Sequence, residues 1–409
     1  MTPCRLLHVI NNLHLGGAET MLVRLLGRLD RDRWSPQVVS LVGGGPAADQ
    51  LRAIGVPVTC IGMRRGLPGP RTLARLTRTM SRSRPDLVQT WLYHSDLLGG
   101  LASKLARTRA PVVWNLRMNG PTRGRDKATT LWTARACAIL SKRIPARIVV
   151  NSESGRQRHI ELGYDAGRME VIQNGFDVER FRPSESARQS IRSELGLGSE
   201  ARLVGMAARW DPLKDFPTMI RAASGLLATC PELHVLLCGP GVDRSNLELA
   251  ALIETRIGAS LSDRLHLQGR RVDMPTWQAA LDVAVLASWT EGFPNAMGEA
   301  MSCGVPCVAT DAGGSSEVLG ETGRLVGVGD ASGLESAIFG LLTEPEAVRR
   351  ELGRLGRERI VSEFSLDRMV ERFESSWNDV LGEWSRKRNR SGTRCRLDET
   401  LSADCSKAA

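Results

Sequence analysis

The sequence has no C-x-x-C pair, no apolar run long enough to cross a bilayer and no internal repeat. Each absence removes a class of protein. Nine cysteines are scattered singly, and Cys303 and Cys307 flank a glycine in an apolar setting. Free, mostly buried thiols in a reducing compartment fit that pattern better than a zinc site or a disulfide framework. Without about 20 consecutive apolar residues no transmembrane helix is expected. The opening MTPCRLLHVI reads as a short strand rather than a secretory leader, so the expected location is the cytoplasm. Aromatic residues make up 4% of the chain and no nucleic-acid-binding module is visible, so no nucleic-acid partner is expected. No G-x-G-x-x-G follows the first apolar strand, which leaves a dinucleotide site unsupported.

Acidic residues are scarce in one region. Between Gln50 and Arg147 there are 19 Lys and Arg against three acids, Asp86, Asp96 and Asp126, a balance of +16 in a chain whose total is +10. The cations crowd toward its end: Lys104, Arg107, Arg109, Arg117, Arg123, Arg125, Lys127, Arg135, Lys142, Arg143 and Arg147, with Trp132, Ala138, Ile139 and Leu140 among them. A solvated helix face would account for this. So would a surface that lies against anionic lipid headgroups or receives a pyrophosphate-linked lipid acceptor. The second reading places the protein peripherally on the inner face of the membrane.

What is present is a two-domain α/β pattern. The 409 residues, 42% hydrophobic and 24% charged, suffice for two ordinary domains. Apolar strands at 5–11, 35–42, 56–60, 86–91 and 148–152 alternate with helical stretches, which predicts a doubly wound parallel sheet. The first strand runs into Gly16-Gly17 and a helix at 18–29, and His94 falls where the strand at 86–91 gives way to a helix. A Gly-Gly pair can be a plain turn and a lone histidine a satisfied loop residue. Both nevertheless sit at the carboxyl edge of a parallel sheet, where ligands bind. A second set of strands, at 201–207, 234–238, 265–267, 283–287, 305–309 and 324–326, repeats the pattern. Arg209 and Lys214 bracket the loop after the first of these. Ordinary surface cations would look the same, but Arg offers a planar fork and Lys a point charge to phosphate oxygens.

The stretch 281–318, LDVAVLASWTEGFPNAMGEAMSCGVPCVATDAGGSSEV, organises the second half. A helix is expected from Pro294 to Gly304, since Pro suits a helix start and Gly the residue past its end. Glu291 precedes that helix and Glu299 lies inside it. A helix N-terminus attracts anions, so carboxylates beside it either are solvated or hold a hydroxyl-bearing ligand.

E-G-F-P-N-A-M-G-E, from Glu291 through Gly292, Phe293, Pro294 and Asn295 to Glu299, resembles the E-x₇-E signature of retaining family-four glycosyltransferases of the GT-B fold. G-V-P-C-V-A-T-D-A-G-G-S-S-E is similar to their usual continuation, and G-G-A-E after the first strand resembles their donor-proximal loop. The segment from Ala208 to Asp215 resembles their G-R-L-x-x-x-K-G, although Ala208 and Asp215 stand where the family has Gly. N-G-F-D at 174–177 is similar to their crossing between domains. The resemblance implies two Rossmann-like domains facing a cleft: 1–182 on the acceptor side and 183–365 binding the donor. A helix at 366–384 crosses back, and a polar tail, disordered, follows at 385–409.

By the same resemblance, a sugar moves with retention from a UDP- or GDP-linked donor to an acceptor hydroxyl. Arg209 and Lys214 would hold the diphosphate, and Glu291 the sugar hydroxyls, with His94 lining the sugar pocket. Glu299 would hold the ribose, Gly16 and Gly17 would face the donor, and the main chain near Val272 would touch the nucleobase. Arg209, Lys214, Glu291 and His94 are thus the expected catalytic set. The expected acceptor is a lipid-linked glycan of cell-surface polysaccharide synthesis. Asp-x-Asp occurs only at Asp30-Arg31-Asp32, in a charged turn, so neither a metal nor another cofactor is implied. A GT-B enzyme of other chemistry (epimerase or phosphorylase) and an inactive sugar-binding protein are the alternatives.

Overall fold

The computed structural model describes residues 2–14, 16–63, 69–108, 110–122, 124 and 126–405, with side chains as far as 389. Seven strands form the first sheet: β1 (Cys4–Ile10), β2 (Trp34–Ser40), β3 (Val58–Cys60), β4 (Leu87–Trp91), β5 (Val112–Leu116), β6 (Arg147–Val150) and β7 (Met169–Val171). They pair in the order β3-β2-β1-β4-β5-β6-β7, and every pair is parallel. The second sheet comprises β8 (Arg202–Ala207), β9 (Leu233–Cys238), β10 (Leu265–Leu267), β11 (Val283–Leu286), β12 (Cys307–Thr310) and β13 (Arg324–Val326), ordered β10-β9-β8-β11-β12-β13 and again all parallel. This is the two-domain GT-B architecture, each half doubly wound.

Each sheet reverses its strand order once, between β1 and β4 in the first and between β8 and β11 in the second. At such a switch point the connections depart to opposite faces, and their loops leave a crevice at the carboxyl edge. The sequence places its glycine pair and His94 at the first crevice. Arg209, Lys214 and Glu291 stand at the second.

Strands buried on both faces read as continuous apolar runs, which is why most were legible. The strand β5, VVWNL, was not expected: it is fully buried but flanked by the basic stretch. Its discovery corrects the reading of that stretch as one surface. Arg117, directly after β5, is buried, and Arg147, which opens β6, is paired with Glu170 and Glu383. Arg109, Arg123 and Arg125 lie outside the described residues.

The chain leaves the first domain at Gly175-Phe176 and returns beside the same point. Phe176 N donates to Phe364 O at 2.9 Å, and Leu366 N donates to Phe176 O at 2.8 Å. The returning helix, Leu366–Cys405, buries Met369, Val370, Phe373, Trp377 and Val380 in the core beneath β1 and the helix Gly17–Arg28. Spacings of three and four put these residues on one helical face. The same helix extends past 384 as far as Cys405, and 406–409 lie outside the described residues.

Candidate functional site

The loop after β8 is shaped by the residue that departs from the family pattern. Asp215 adopts φ 48°, ψ 50°, the left-handed conformation that glycine adopts without penalty. Aspartate is among the few other residues that tolerate it, and here its side chain acts as the cap of the helix Phe216–Thr229. Asp215 Oδ1 accepts from Thr218 N at 3.3 Å and Oδ2 from Thr218 Oγ1 at 2.7 Å. Asp211 caps the short turn Pro212–Lys214 in the same way, accepting from Leu213 N at 2.9 Å. The two aspartates fold the loop so that Lys214 points across the crevice.

Lys214 Nζ there meets Glu291 Oε1 in an ion pair, and Ser288 Oγ donates to the same oxygen at 2.7 Å. Lys214 from the edge of β8 and Ser288 from that of β11 thus meet on one carboxylate oxygen of Glu291. Arg209 stands apart. Its side chain is half exposed and paired with Asp211, whose Oδ2 is 2.9 Å from Arg209 Nη2. Burial pushes the Glu19 carboxyl of the other domain upward, and its own backbone N–H and then the Arg209 charge pull it partly back.

The helix after Glu291 runs Asn295–Ser302, with Pro294 as its N-cap. The helix after the glycine pair runs Gly17–Arg28, with Gly16 as its N-cap. Neither N-cap residue supplies a side-chain hydrogen bond, although in the first helix the Glu19 carboxylate takes up its own backbone N–H. The two helices lie side by side with their N-termini together. A Cβ on Gly17 would sit 3.3 Å from Asn295 Nδ2, and seven residues on Arg24 pairs with Glu299. One positive helix end from each domain therefore converges on the same crevice. The strand order and the glycine pair predict this seat; its doubling requires both domains.

The loop carrying Glu291 is clamped between backbones. Gly313, at φ 61°, lies so close to the Glu291 carbonyl that a Cβ would collide with it. Gly292 faces Asn151 Nδ2 and the Arg117–Met118 backbone of the first domain, where a Cβ would approach to 2.8–3.0 Å. Asn174, at the crossing, donates to Asn295 Oδ1 at 2.6 Å and to Phe293 O at 3.3 Å, and its own Oδ1 accepts from Arg117. Arg117 has no carboxylate among these partners; it packs 5.8 Å from the Trp91 ring and 5.9 Å from that of Phe373. Burial pulls its guanidinium down to about 9.

On the opposite wall, Leu92 turns the chain through φ 72° at the end of β4, and His94 occupies the first turn of the helix Tyr93–Leu105. His94 is half-buried, and burial lowers its pKa from the ordinary imidazole value. Behind it Tyr93 OH lies 2.6 Å from His159 Nε2, and His159 Nδ1 is 2.6 Å from Gly155 O. The carbonyl can only accept, so Nδ1 carries the proton and Nε2 accepts from the tyrosine. Val272 is exposed in the loop after β10. That loop is tied into the row of edge loops by Gly239 N donating to Gly269 O at 2.8 Å.

The structure gathers Gly16, Gly17, Lys214, Glu291, Gly292, Pro294, Asn295 and Glu299 at one crevice, whereas the Phe293 ring is buried in the second domain's core against Phe176 and Phe364. It leaves Arg209 turned toward Asp211 at the rim and Val272 two loops away. Arg24, Arg117, Asn174 and Ser288 were missed. For Arg24 a signal existed: Gly17 and Arg24 are seven residues apart and Asn295 and Glu299 four, so each pair shares a helix face.

A family model described as Glycosyltransferase Family 4 matches residues 15–180, and one described as Glycosyl transferases group 1 matches residues 201–344. The D-inositol 3-phosphate glycosyltransferase 2 of Catenulispora acidiphila is 29% identical over 219 residues, which is 49% of this chain and 48% of that protein. The D-inositol 3-phosphate glycosyltransferase of Mycobacterium tuberculosis is 28% identical over 251 residues, 60% of this chain and 51% of that one. The chain spans about half the length of these curated relatives. Among solved structures, Anabaena HepE in complex with UDP-glucose superposes with a TM-score of 0.79 at 24% identity, covering 92% of this chain and 99% of its own. A glycosyltransferase from Rickettsia africae gives 0.78 at 17% identity, with coverages of 93% and 99%. At these identities the likeness establishes the fold.

Proposed function

The chain belongs to the family-four glycosyltransferases, and from that premise we propose that it moves a sugar, with retention, from a nucleoside diphosphate to an acceptor hydroxyl. The observation that carries this reading is the Lys214–Glu291 ion pair set beside two uncapped helix N-termini. An anion seat with a carboxylate at its edge suits a ligand that is phosphate at one end and polyhydroxylated at the other.

The bond that breaks joins the anomeric carbon to a diphosphate oxygen. Lys214, Arg209 and the N–H groups of both helices stabilise the charge that grows on that oxygen, an effect of oxyanion-hole type. Glu291 accepts from sugar hydroxyls and faces the anomeric carbon as it becomes cationic, while His94 closes the sugar pocket from the other domain. The acceptor oxygen bonds to the face that the diphosphate leaves, and its proton passes to the departing phosphate oxygen. Glu299 binds the ribose. A fold neighbour holds UDP-glucose, so UDP-sugars are the first donors to test, followed by GDP-sugars. A ligand that binds only the folded state raises its melting temperature. A screen with these donors should reveal one that does so, and no shift with any nucleotide sugar would contradict the reading.

For the acceptor we propose a lipid-linked glycan at an anionic membrane. Helix Ala128–Leu140 exposes Trp132 and Ile139, 68% and 75% accessible, on one stripe. Arg135 packs 5.7 Å over the Trp132 ring, and Lys142 and Arg143 follow, both exposed. Aromatic and aliphatic side chains set among cations suit the headgroup boundary of a bilayer. No described helix is long and apolar enough to cross one. Sedimentation with vesicles should require anionic lipid, weaken with salt, and fail when Trp132, Arg135 and Arg143 are replaced together. Equal binding to neutral vesicles would contradict it.

A further inference from the structure

Glu299 is held from the opposite domain. Its Oε1 lies 2.5 Å from Arg24 Nη2, and both side chains are only 13% exposed. Exposed ion pairs mean little, but a largely buried one must offset the desolvation of both ions, and it holds only where the geometry is well supported. Here the support is visible. The Arg24 guanidinium lies 5.9 Å from the Phe181 ring, and the Gly17–Asn295 approach keeps the two helices in register.

The pair is also unsaturated. Arg24 Nη1 is buried and has no hydrogen-bond partner. A carboxylate offers about four acceptor positions, of which Arg24 takes one. An unspent donor and unspent acceptors therefore stand together between the two helices, about two turns along the helix Gly17–Arg28 and one turn along Asn295–Ser302. That set is complementary to a vicinal diol, in which each hydroxyl can both donate and accept.

We propose that Arg24 is a positioning residue for the nucleoside. It fixes the Glu299 carboxylate toward the ribose 2′- and 3′-hydroxyls, and its Nη1 completes their hydrogen bonding. Because the arginine and the glutamate come from different domains, ribose recognition then depends on the domains being together. The inference rests on the reading of Glu299 as the ribose ligand.

The test is calorimetric titration of the full chain with UDP and with 2′,3′-dideoxy-UDP, or with the guanosine pair if UDP does not bind. Arg24→Gln should weaken the ribonucleotide about tenfold, the scale of one charge-assisted hydrogen bond, and change the dideoxy analogue less than about twofold. Arg24→Lys should recover part of the loss. The Arg24→Gln/Glu299→Gln double variant should lose no more than the worse single variant. Circular dichroism and melting temperature establish that each variant is folded. Equal losses for both nucleotides, or additive losses in the double variant, would overturn the proposal. If the wild type prefers the ribonucleotide and Arg24→Gln changes nothing, the Arg24 role alone falls. If the wild type binds none of these nucleotides, the reading of the whole site falls with it.

Discussion

Lys214 Nζ and Glu291 Oε1 form an ion pair that joins the carboxyl edges of β8 and β11, the two strands on either side of the second switch point. The lysine ammonium has three donors and spends one on Glu291, so others remain for phosphate oxygens. Ser288 Oγ, donating to the same carboxylate oxygen at 2.7 Å, fixes the orientation of the acid. In the proposed reaction one residue thus couples the group that orients the sugar to the group that neutralises the leaving diphosphate.

The two glutamates should separate by ligand. Glu299→Gln should clearly weaken free nucleoside diphosphate, which has a ribose but no transferable sugar. Glu291→Gln should leave that affinity nearly unchanged and weaken only the sugar-bearing donor. Titration of both variants with both ligands checks this, and equal losses throughout would contradict the division.

Asp215 permits a stability test at the departure from the family pattern. Asp215→Ala loses the helix cap and keeps a left-handed backbone that alanine dislikes, for a combined cost of roughly 2–3 kcal/mol. Asp215→Gly also loses the capping side chain but relieves the backbone, and should cost about 1 kcal/mol or less. Chemical denaturation of the two variants orders them. Alanine proving as stable as glycine would contradict the conformational argument.

The first domain should be acid-sensitive through His159. Burial holds this imidazole down to about 4, whereas its ordinary value is 6.5. A folded-state pKa below the unfolded one means the folded chain resists protonation. The stability is full above about pH 6.5 and is lost as the pH falls toward 4, amounting to roughly 2 kcal/mol at pH 5. Denaturation at pH 7 and pH 5 should show this drop in the wild type and a smaller one in His159→Gln. An identical drop in both would mean that His159 is not its source.

The sequence carried the architecture because strands buried on both faces are short apolar runs closed by Gly, Pro or Asn. The runs at β1, β4, β8 and β11 marked the carboxyl edges where the site loops begin, whereas the strand order that makes them switch points is seen only in the fold. The β5 strand escaped because charged neighbours dominate its surroundings, and with it went the burial of Arg117. The Asp215 substitution left the loop shape open in sequence, since only the backbone angles reveal that aspartate takes the left-handed turn. Arg24 shares a helix face with Gly17, a signal that local spacing carries, but its pairing with Glu299, 275 positions away in the other domain, was not legible. Such a contact depends on how two sheets meet, which local patterning does not encode.

The most direct test of the central claim is turnover with the donor identified by the melting-temperature screen, measured for Arg209→Ala and Lys214→Ala together with donor affinity. Each loss should cost about 2–4 kcal/mol of transition-state stabilisation, a fall of roughly 30-fold to 1,000-fold in turnover, while donor affinity changes by much less. Near-normal turnover in both variants, with the fold intact, would contradict the assignment of this crevice to the leaving diphosphate.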